Sequence, residues 1–282
     1  MQRRERYWQR ALEVSERARD GGDLIPLQTD QLVLPELDPF RVRELLSRTP
    51  RHLRPDGPRP NPCRPWEPPL EVARPAPGHV LLLNKYPVQS AHLLLITQGW
   101  QPQNGWLQSA DWQALAMVAA DTGGLWFFHS CAEAGASQPH RHLQLLPRHA
   151  GEASCPLAPL LQAQLENGDR PWAWPYRLSP RQQGLEPAAA AMELAGIYRD
   201  HSRQLGLGDR SADPAPRHPY NLLIDDHWLL TVRRRREHCA GFSINALGFA
   251  GYLLRTRRSD LDWLKEHGPW QLLAAVADCG AT

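Results

Sequence analysis

His140, His142 and Gln144 stand at alternate positions directly after the small-residue string Gly135-Ala136-Ser137-Gln138-Pro139. In an extended strand, alternate side chains leave the same face. The two imidazoles, the carboxamide and Leu146 would therefore project together, with Arg141, Leu143 and Leu145 on the other side. The backbone N–H groups of the preceding loop are unobstructed by large side chains, which suits an anion. Imidazole is neutral and nucleophilic near pH 7, its free pKa being about 6.5. A nucleophile beside an anion cradle is equipment for phosphoryl or nucleotidyl transfer, a reaction eased by dividing it into two displacements through a covalent intermediate. Two alternating histidines alone also occur as polar residues on exposed strand faces, so the case needs the surrounding elements.

Those elements are legible from periodicity. Residues 79–83 and 92–97 are apolar runs joined by the polar loop Asn84-Lys85-Tyr86-Pro87-Val88, a β-hairpin with largely buried strands. Ser109 is placed to cap a helix with Asp111 in its first turn, and Trp112, Leu115, Val118 and Ala119 give that helix an apolar stripe ended by Gly123-Gly124. Residues 125–128 form a buried strand, and the His-x-His-x-Gln strand follows. Upstream, residues 5–20 read as a helix stopped by Gly21-Gly22, and residues 32–34 and 40–42 as short strands. Residues 51–77, rich in Pro and Arg, show little periodicity. The second half reads as helices at 157–166 and 187–205, strands at 220–224 and 228–232 turning at Asp225-Asp226, and two closing helices separated by Gly268. Ser259 and Asp262 are placed as a capping box for the first of these. The run Arg233-Arg234-Arg235-Arg236 at a strand end reads as a solvated edge that discourages pairing.

Composition narrows the class. A chain of 282 residues suffices for one large domain or two packed halves. A net charge of +2 gives no argument for nucleic acid as a partner. Cys63, Cys131, Cys155, Cys239 and Cys279 are far apart, without zinc-finger spacing, and no signal peptide precedes them, so a cytoplasmic location is expected. No stretch approaches the ~18 apolar residues that span a bilayer, so no membrane partner is expected. Carboxylates are not clustered either. Magnesium or another divalent ion is therefore expected to accompany a nucleotide, with no metal held by the protein.

The string from Gly135 to Gln144 resembles the histidine-triad superfamily, in the His-x-His-x-Gln branch shared with galactose-1-phosphate uridylyltransferases. Its fuller form, Gly-Ala-Ser-Gln-x-His-x-His-Leu-Gln, is similar to the ATP adenylyltransferases, also called diadenosine tetraphosphate phosphorylases. Tyr220-Asn221-Leu222-Leu223, Trp228, the basic-acidic turn at 234–237 and the string from Ser243 to Gly251 follow that family's C-terminal region. The resemblance covers the chain from about residue 61 to its end, and less clearly back to residue 26. It implies an α+β fold, a histidine-triad-like antiparallel sheet with flanking helices, both chain halves forming one cleft. Residues 1–180 would be the catalytic region and residues 181–282 an adenylyltransferase region completing the nucleotide site. A chain supplying both halves is expected to be a monomer or weak dimer.

The implied activity is phosphorolysis of diadenosine tetraphosphate to ATP and ADP, reversible as adenylyl transfer, with dinucleoside polyphosphate, ATP, ADP and phosphate as small-molecule partners. The same chemistry with another acceptor would make an adenylyl sulfate phosphorylase or a hexose-1-phosphate nucleotidylyltransferase. A nucleotide-binding sensor with impaired catalysis is the non-enzymatic alternative. By resemblance His142 is the nucleophile, His140 orients or polarises it through a hydrogen bond, and Gln144 donates its amide to a phosphate oxygen. Gly135, Ala136, Ser137 and Gln138 match the phosphate loop, and Asn84 and Lys85 a pair in the hairpin loop. Lys85 would place its charge on the polyphosphate. Asn245, Ala246 and Leu247 match residues at the nucleotide.

Four positions depart from the pattern. His129 stands where the family usually carries Asn, and Cys131 replaces a usual glycine. An N-terminal lysine has no clear counterpart, although Arg51 and Arg54 fall in its region, and Thr256 between Arg255 and Arg257 occupies a usually basic position. Restoring the family residue with His129→Asn is expected to keep or raise turnover of diadenosine tetraphosphate. Steady-state kinetics of that variant check this, and a large loss would show that this chain depends on the imidazole.

Overall fold

Leu143 and Leu145 are fully buried and alternate with His142 and Gln144, and this alternation folds the segment as a strand with one face committed to the core. The computed structural model describes residues 3–47, 63 and 65–278. Arg51, Arg54, Cys279 and much of the Pro/Arg-rich segment lie outside these described residues. The chain runs α1 (Arg6–Asp20), β1 (Thr29–Leu32), β2 (Arg41–Leu45), β3 (Glu71–Ala73), β4 (His79–Leu83), β5 (Leu93–Thr97), α2 (Ser109–Asp121), β6 (Gly124–His129) and β7 (His142–Pro147). It continues through α3 (Ala158–Asn167), β8 (Tyr176–Pro180), α4 (Pro187–Gln204), β9 (Tyr220–Ile224) and β10 (Trp228–Arg233). The last elements are β11 (His238–Cys239), β12 (Phe242–Ser243), β13 (Tyr252–Arg255) and α5 (Leu261–Val276).

One antiparallel sheet of eight strands carries the site, in the order β3-β4-β5-β7-β6-β9-β10-β8. The β6–β9 seam joins the two halves of the chain, so the expected α+β fold is present with both halves in one sheet. A small second sheet, β1-β2-β13, also joins the two ends of the chain through the parallel pair β2–β13.

The faces of the large sheet differ. On one, Leu93, Leu95, Leu143, Leu145, Trp126, Phe128 and Leu222 pack with residues of α1, α2 and α4 in a continuous core. On the other, Phe127, Leu146, Leu223, Leu230 and Val232 pack beneath α3, α5 and the turn 246–250. A separate small cluster, Cys63, Val80, Leu82 and Ile96, covers the β4–β5 end. Between these apolar layers lie His142 and Gln144, opposite Ile96 and Leu94 of β5, and His129, opposite Asn221 of β9. The polar row occupies the part of the face that neither layer covers.

Several local expectations need correction. Gln108, not Ser109, caps α2; its backbone N–H donates to Asp111 Oδ2 at 2.7 Å in a reciprocal capping box. Asp260, not Ser259, caps α5 by accepting from Trp263 N, while Ser259 Oγ accepts from Thr256 N. Gly268 (φ 79°) does break that helix in two, as expected. The first short strand spans Thr29–Leu32, because Pro35 starts a tight turn, and the second spans Arg41–Leu45. β7 begins only at His142. His140 is held apart from it in an isolated bridge to Pro102, with Arg141 N donating to Gln101 O. Of the arginine run, Arg235 and Arg236 are exposed as expected, whereas Arg234 is buried.

Deleting Leu143 side-chain volume from the covered face with Leu143→Ala is expected to cost about 2–5 kcal/mol. Urea denaturation reads this as a lower midpoint at unchanged slope. A loss below about 1 kcal/mol would mean that the catalytic strand is not anchored by this core.

Candidate active site

His142 is 5 % exposed, and its Nδ1 lies 2.8 Å from the His140 carbonyl oxygen. A carbonyl can only accept, so Nδ1 carries the proton and Nε2 is left with a free lone pair. Burial, the largest influence, holds its pKa below the usual histidine value. The ring is therefore neutral at physiological pH, the state a nucleophile requires. The Nδ1 contact is with the His140 main chain, not with its ring. His140 Nε2 donates instead to Thr97 O at 2.7 Å, beside Thr97 Oγ1 at 3.1 Å, and Trp100 stands edge-on to the imidazole. His140 thus orients His142 through its backbone.

A second set of protons is fixed from further away. Tyr86 N–H donates to Asn84 Oδ1 at 3.1 Å, which turns Asn84 Nδ2 toward His92 Nδ1 at 3.1 Å. That nitrogen must accept, so His92 is protonated on Nε2 and donates to Gln144 Oε1 at 2.9 Å. The Gln144 amide then presents Nε2 to His129 Nδ1 at 3.4 Å. His129 in turn carries its proton on Nε2, a buried atom with no partner among the described residues. Burial drives His129 well below the usual histidine range, with His142 and Arg234 adding to the effect. The row thus offers a bare nitrogen on His142 and an unsatisfied N–H donor on His129.

The strings that begin at Gly135 and at Asn245 meet. Gly135 adopts φ 91°, and a Cβ there would lie 2.5 Å from Asn245 Cβ, so only glycine permits the approach. Asn245 Oδ1 accepts from Leu247 N at 2.9 Å and caps the turn in which Ala246 is buried and Leu247 half-buried. Arg234 ties the two segments from beneath. It is 1 % exposed, donates to the carbonyls of Ile244 (2.8 Å), Arg236 (2.8 Å), Val276 (3.2 Å) and Ala134 (3.5 Å), and bonds Asn221 Oδ1. Asn221 Nδ2 reaches Ala134 O at 2.8 Å. Arg234 has no carboxylate within ion-pair distance among the described residues, and burial pulls its pKa down to about 9. The expectation of a solvated arginine fails here, because the strand edge is covered and backbone carbonyls converge on the guanidinium.

The remaining expected residues are less engaged. Ser137 is exposed, Ala136 half-buried, and Gln138 Oε1 buried without a partner among the described residues. Lys85 Nζ is paired with Glu67 at 2.6 and 2.7 Å. His92, Asn221, Arg234 and Gln103 went unmarked as site residues in the sequence. Asn221 carried a signal in the Tyr-Asn-Leu-Leu string, and Arg234 in the basic-acidic turn at 234–237. No group of three or more His, Cys, Asp or Glu that could hold a metal occurs among the described residues. Nor is any described helix long and apolar enough to cross a membrane.

A sheet of this order, with His142 and Gln144 on one strand and a second-half strand and turn beside them, is the framework of a nucleotidyltransferase. Residues 1–163 match the Ap4A phosphorylase N-terminal domain (Ap4A being diadenosine tetraphosphate), and residues 170–278 match the ATP adenylyltransferase C-terminal domain. The chain belongs to the Ap4A phosphorylase and ATP adenylyltransferase family. Among solved structures it is similar to yeast Ap4A phosphorylase Apa2, with a TM-score of 0.72 and 18% identity over 96% of this chain and 97% of that one. The Apa2 complex with AMP gives a TM-score of 0.71 at 20% identity, covering 98% of both chains. The complex with Ap4A gives 0.72 at 20%, covering 96% and 97%. No individually curated protein matches the chain by sequence.

The buried neutral histidines also make stability depend on pH. His92 and His201 are pushed down to about 4 by burial, and His129 and His142 lie below the ordinary 6.5. Folding lowers these pKa values, so below pH 6.5 the unfolded chain binds more protons than the folded one. Stability present above 6.5 is lost as the pH falls toward 4. The denaturation midpoint is expected to be clearly lower at pH 5 than at pH 7.5, and equal midpoints would contradict the buried neutral assignment.

Proposed function

We propose that this enzyme cleaves diadenosine tetraphosphate with phosphate through a covalent adenylyl-His142, the first half-reaction releasing ATP and the second ADP. The observation that carries this reading is the fixed tautomer of His142, whose Nδ1 is occupied by the His140 carbonyl and whose Nε2 is bare. The Nε2 lone pair attacks the α-phosphorus, and the bond from phosphorus to the bridging oxygen breaks, with its electrons leaving on ATP. The ring becomes cationic while keeping its Nδ1 proton, and the bond to His140 O strengthens as it becomes charge-assisted. A phosphate oxygen then attacks the same phosphorus, the N–P bond breaks, and neutral His142 is regenerated as ADP departs. No proton transfer at His142 is needed in either step.

The other residues fit supporting roles. His129 Nε2–H would donate to a non-bridging oxygen as charge builds there. Gln144, held by His92 on one side, would keep the His129 tautomer and offer its amide at the same phosphate. Gly135, Ala136, Ser137 and Gln138 would receive the phosphates, and Asn245, Ala246 and Leu247 the nucleoside end. Lys85 would exchange Glu67 for polyphosphate oxygens. A divalent ion would travel with the polyphosphate. The two halves would act as one unit within a monomer or weak dimer, residues 1–180 supplying the nucleophile and residues 181–282 closing the nucleotide site. The family's other plausible substrates, adenylyl sulfate and hexose-1-phosphate nucleotides, have no specific feature here in their favour.

Incubation with diadenosine tetraphosphate, with and without phosphate, tests the reading. ATP plus ADP formed only with phosphate is the expected result, and ATP plus AMP without phosphate would make the protein a hydrolase. Enzyme and nucleotide alone should yield one acid-labile, base-stable AMP adduct that phosphate discharges. His142→Ala and His142→Gln should abolish labelling and lower turnover by several orders of magnitude while leaving the fold intact. An adduct persisting in those variants would move the nucleophile elsewhere.

A further inference from the structure

The ladder between β6 and β7 stops two residues short of where its geometry could carry it. The register pairs Gly124 with Pro147 through Phe127 with Gln144. Arg148 N donates to Gly123 O at 3.1 Å, so 123/148 is a hydrogen-bonded rung. Such rungs recur every second residue, which makes His129 and His142 the next hydrogen-bonded pair. That rung is not formed. The side chain of Gln103, 2 % exposed, occupies its place: Oε1 accepts from His142 N at 2.8 Å, and Nε2 donates to His129 O at 2.6 Å and lies 3.3 Å from His142 O. Gln103 is itself pinned, its backbone N–H bonded to Pro139 O at 2.8 Å.

A carboxamide has the donor and acceptor of a peptide unit, so it can bond to both strands while standing between them. In a closed rung the His129 and His142 side chains would be direct neighbours on one face, with Cβ atoms about 4.5–5.5 Å apart. An inserted amide spreads the strands at that pair alone. The two side chains spread apart are the one with the bare nitrogen and the one with the unsatisfied N–H. We propose that Gln103 is a positioning residue, a wedge that sets the gap between His142 and His129 to the width of one phosphoryl group. The inference rests on the reading of His142 as nucleophile, and its structural half can be judged without it.

Two variants test it. Gln103→Ala removes the wedge, and its crystal structure should show the rung closed, with His142 N–H bonded to His129 O. A gap that stays open overturns the proposal whatever the activity. The single-turnover rate of adenylylation should fall by about 100-fold in this variant, the scale of a misplacement near 1 Å, with AMP affinity kept within about threefold. Gln103→Glu is nearly isosteric. Its ionised carboxylate can still accept from His142 N but sets an oxygen against His129 O, whereas the protonated acid restores a donor there. Burial raises the pKa of such a carboxyl. The rate of this variant relative to the parent should therefore rise at least about tenfold from pH 9 to pH 6. A constant ratio, or a Gln103→Ala variant labelled at the parent rate, overturns the proposal. Failure of the parent to form any adduct would refute the nucleophile instead, leaving the gap in the Gln103→Ala structure to judge the wedge.

Discussion

The bond from His142 Nδ1 to the His140 carbonyl is the constraint on which the site depends. It needs the chain to leave regular strand geometry at His140, and the bridge to Pro102 and the bonds of the His140 ring to Thr97 hold it there. The other imidazoles are governed in the same way. Tyr86 N–H, a backbone donor, determines how Asn84 lies, and the direction passes through His92 and Gln144 to His129. Two backbone groups of opposite polarity thus assign the protons of His142 and of His129. Neutrality comes from burial, orientation from main-chain atoms that cannot titrate.

Placement follows from how the sheet is covered. Helices α1, α2 and α4 seal one face, and two separate apolar layers cover parts of the other. Polar side chains in the interval are shielded enough to stay neutral yet remain at the rim of both layers. Arg234 lies below this interval and is compensated by carbonyl dipoles, without a partner acid. A buried cation of this kind sets a positive potential beneath the polar row, felt at His129.

Periodicity made the hairpin, the helices and the order of the catalytic unit legible, because Leu93, Leu95, Leu143 and Leu145 repeat on one face and Gly and Asp mark the turns. β8, with the sequence Tyr-Arg-Leu-Ser-Pro, alternates for only four residues before Pro180 and gave too short a signal, and the burial of Arg234 was not legible either. His140 and His142 were visible as a pair by their spacing. That the carbonyl of one binds the ring of the other was not, since main-chain direction at His140 is set by a segment distant in sequence. Gln103 and His92 gave no signal for a related reason. Their partners are a backbone rung and a carboxamide brought near only by the folded sheet.

The β6–β9 seam has a consequence for how the molecule is made. Each half of the chain ends its share of the sheet on a bare strand, β6 for the first and β9 for the second, and each is the other's cover. During synthesis the first half emerges with the outer edge of β6 unpaired until residues 220–224 arrive. Its apolar sequence, Leu-Trp-Phe-Phe, is the kind of edge to which another chain adds. The bidentate clasp of Arg3 on Asp226, from one end of the chain to the far side of the seam, can close only after both halves are present. Continuity of the polypeptide therefore acts as a chaperone in cis, keeping the matching strand at high local concentration until the edge is sealed.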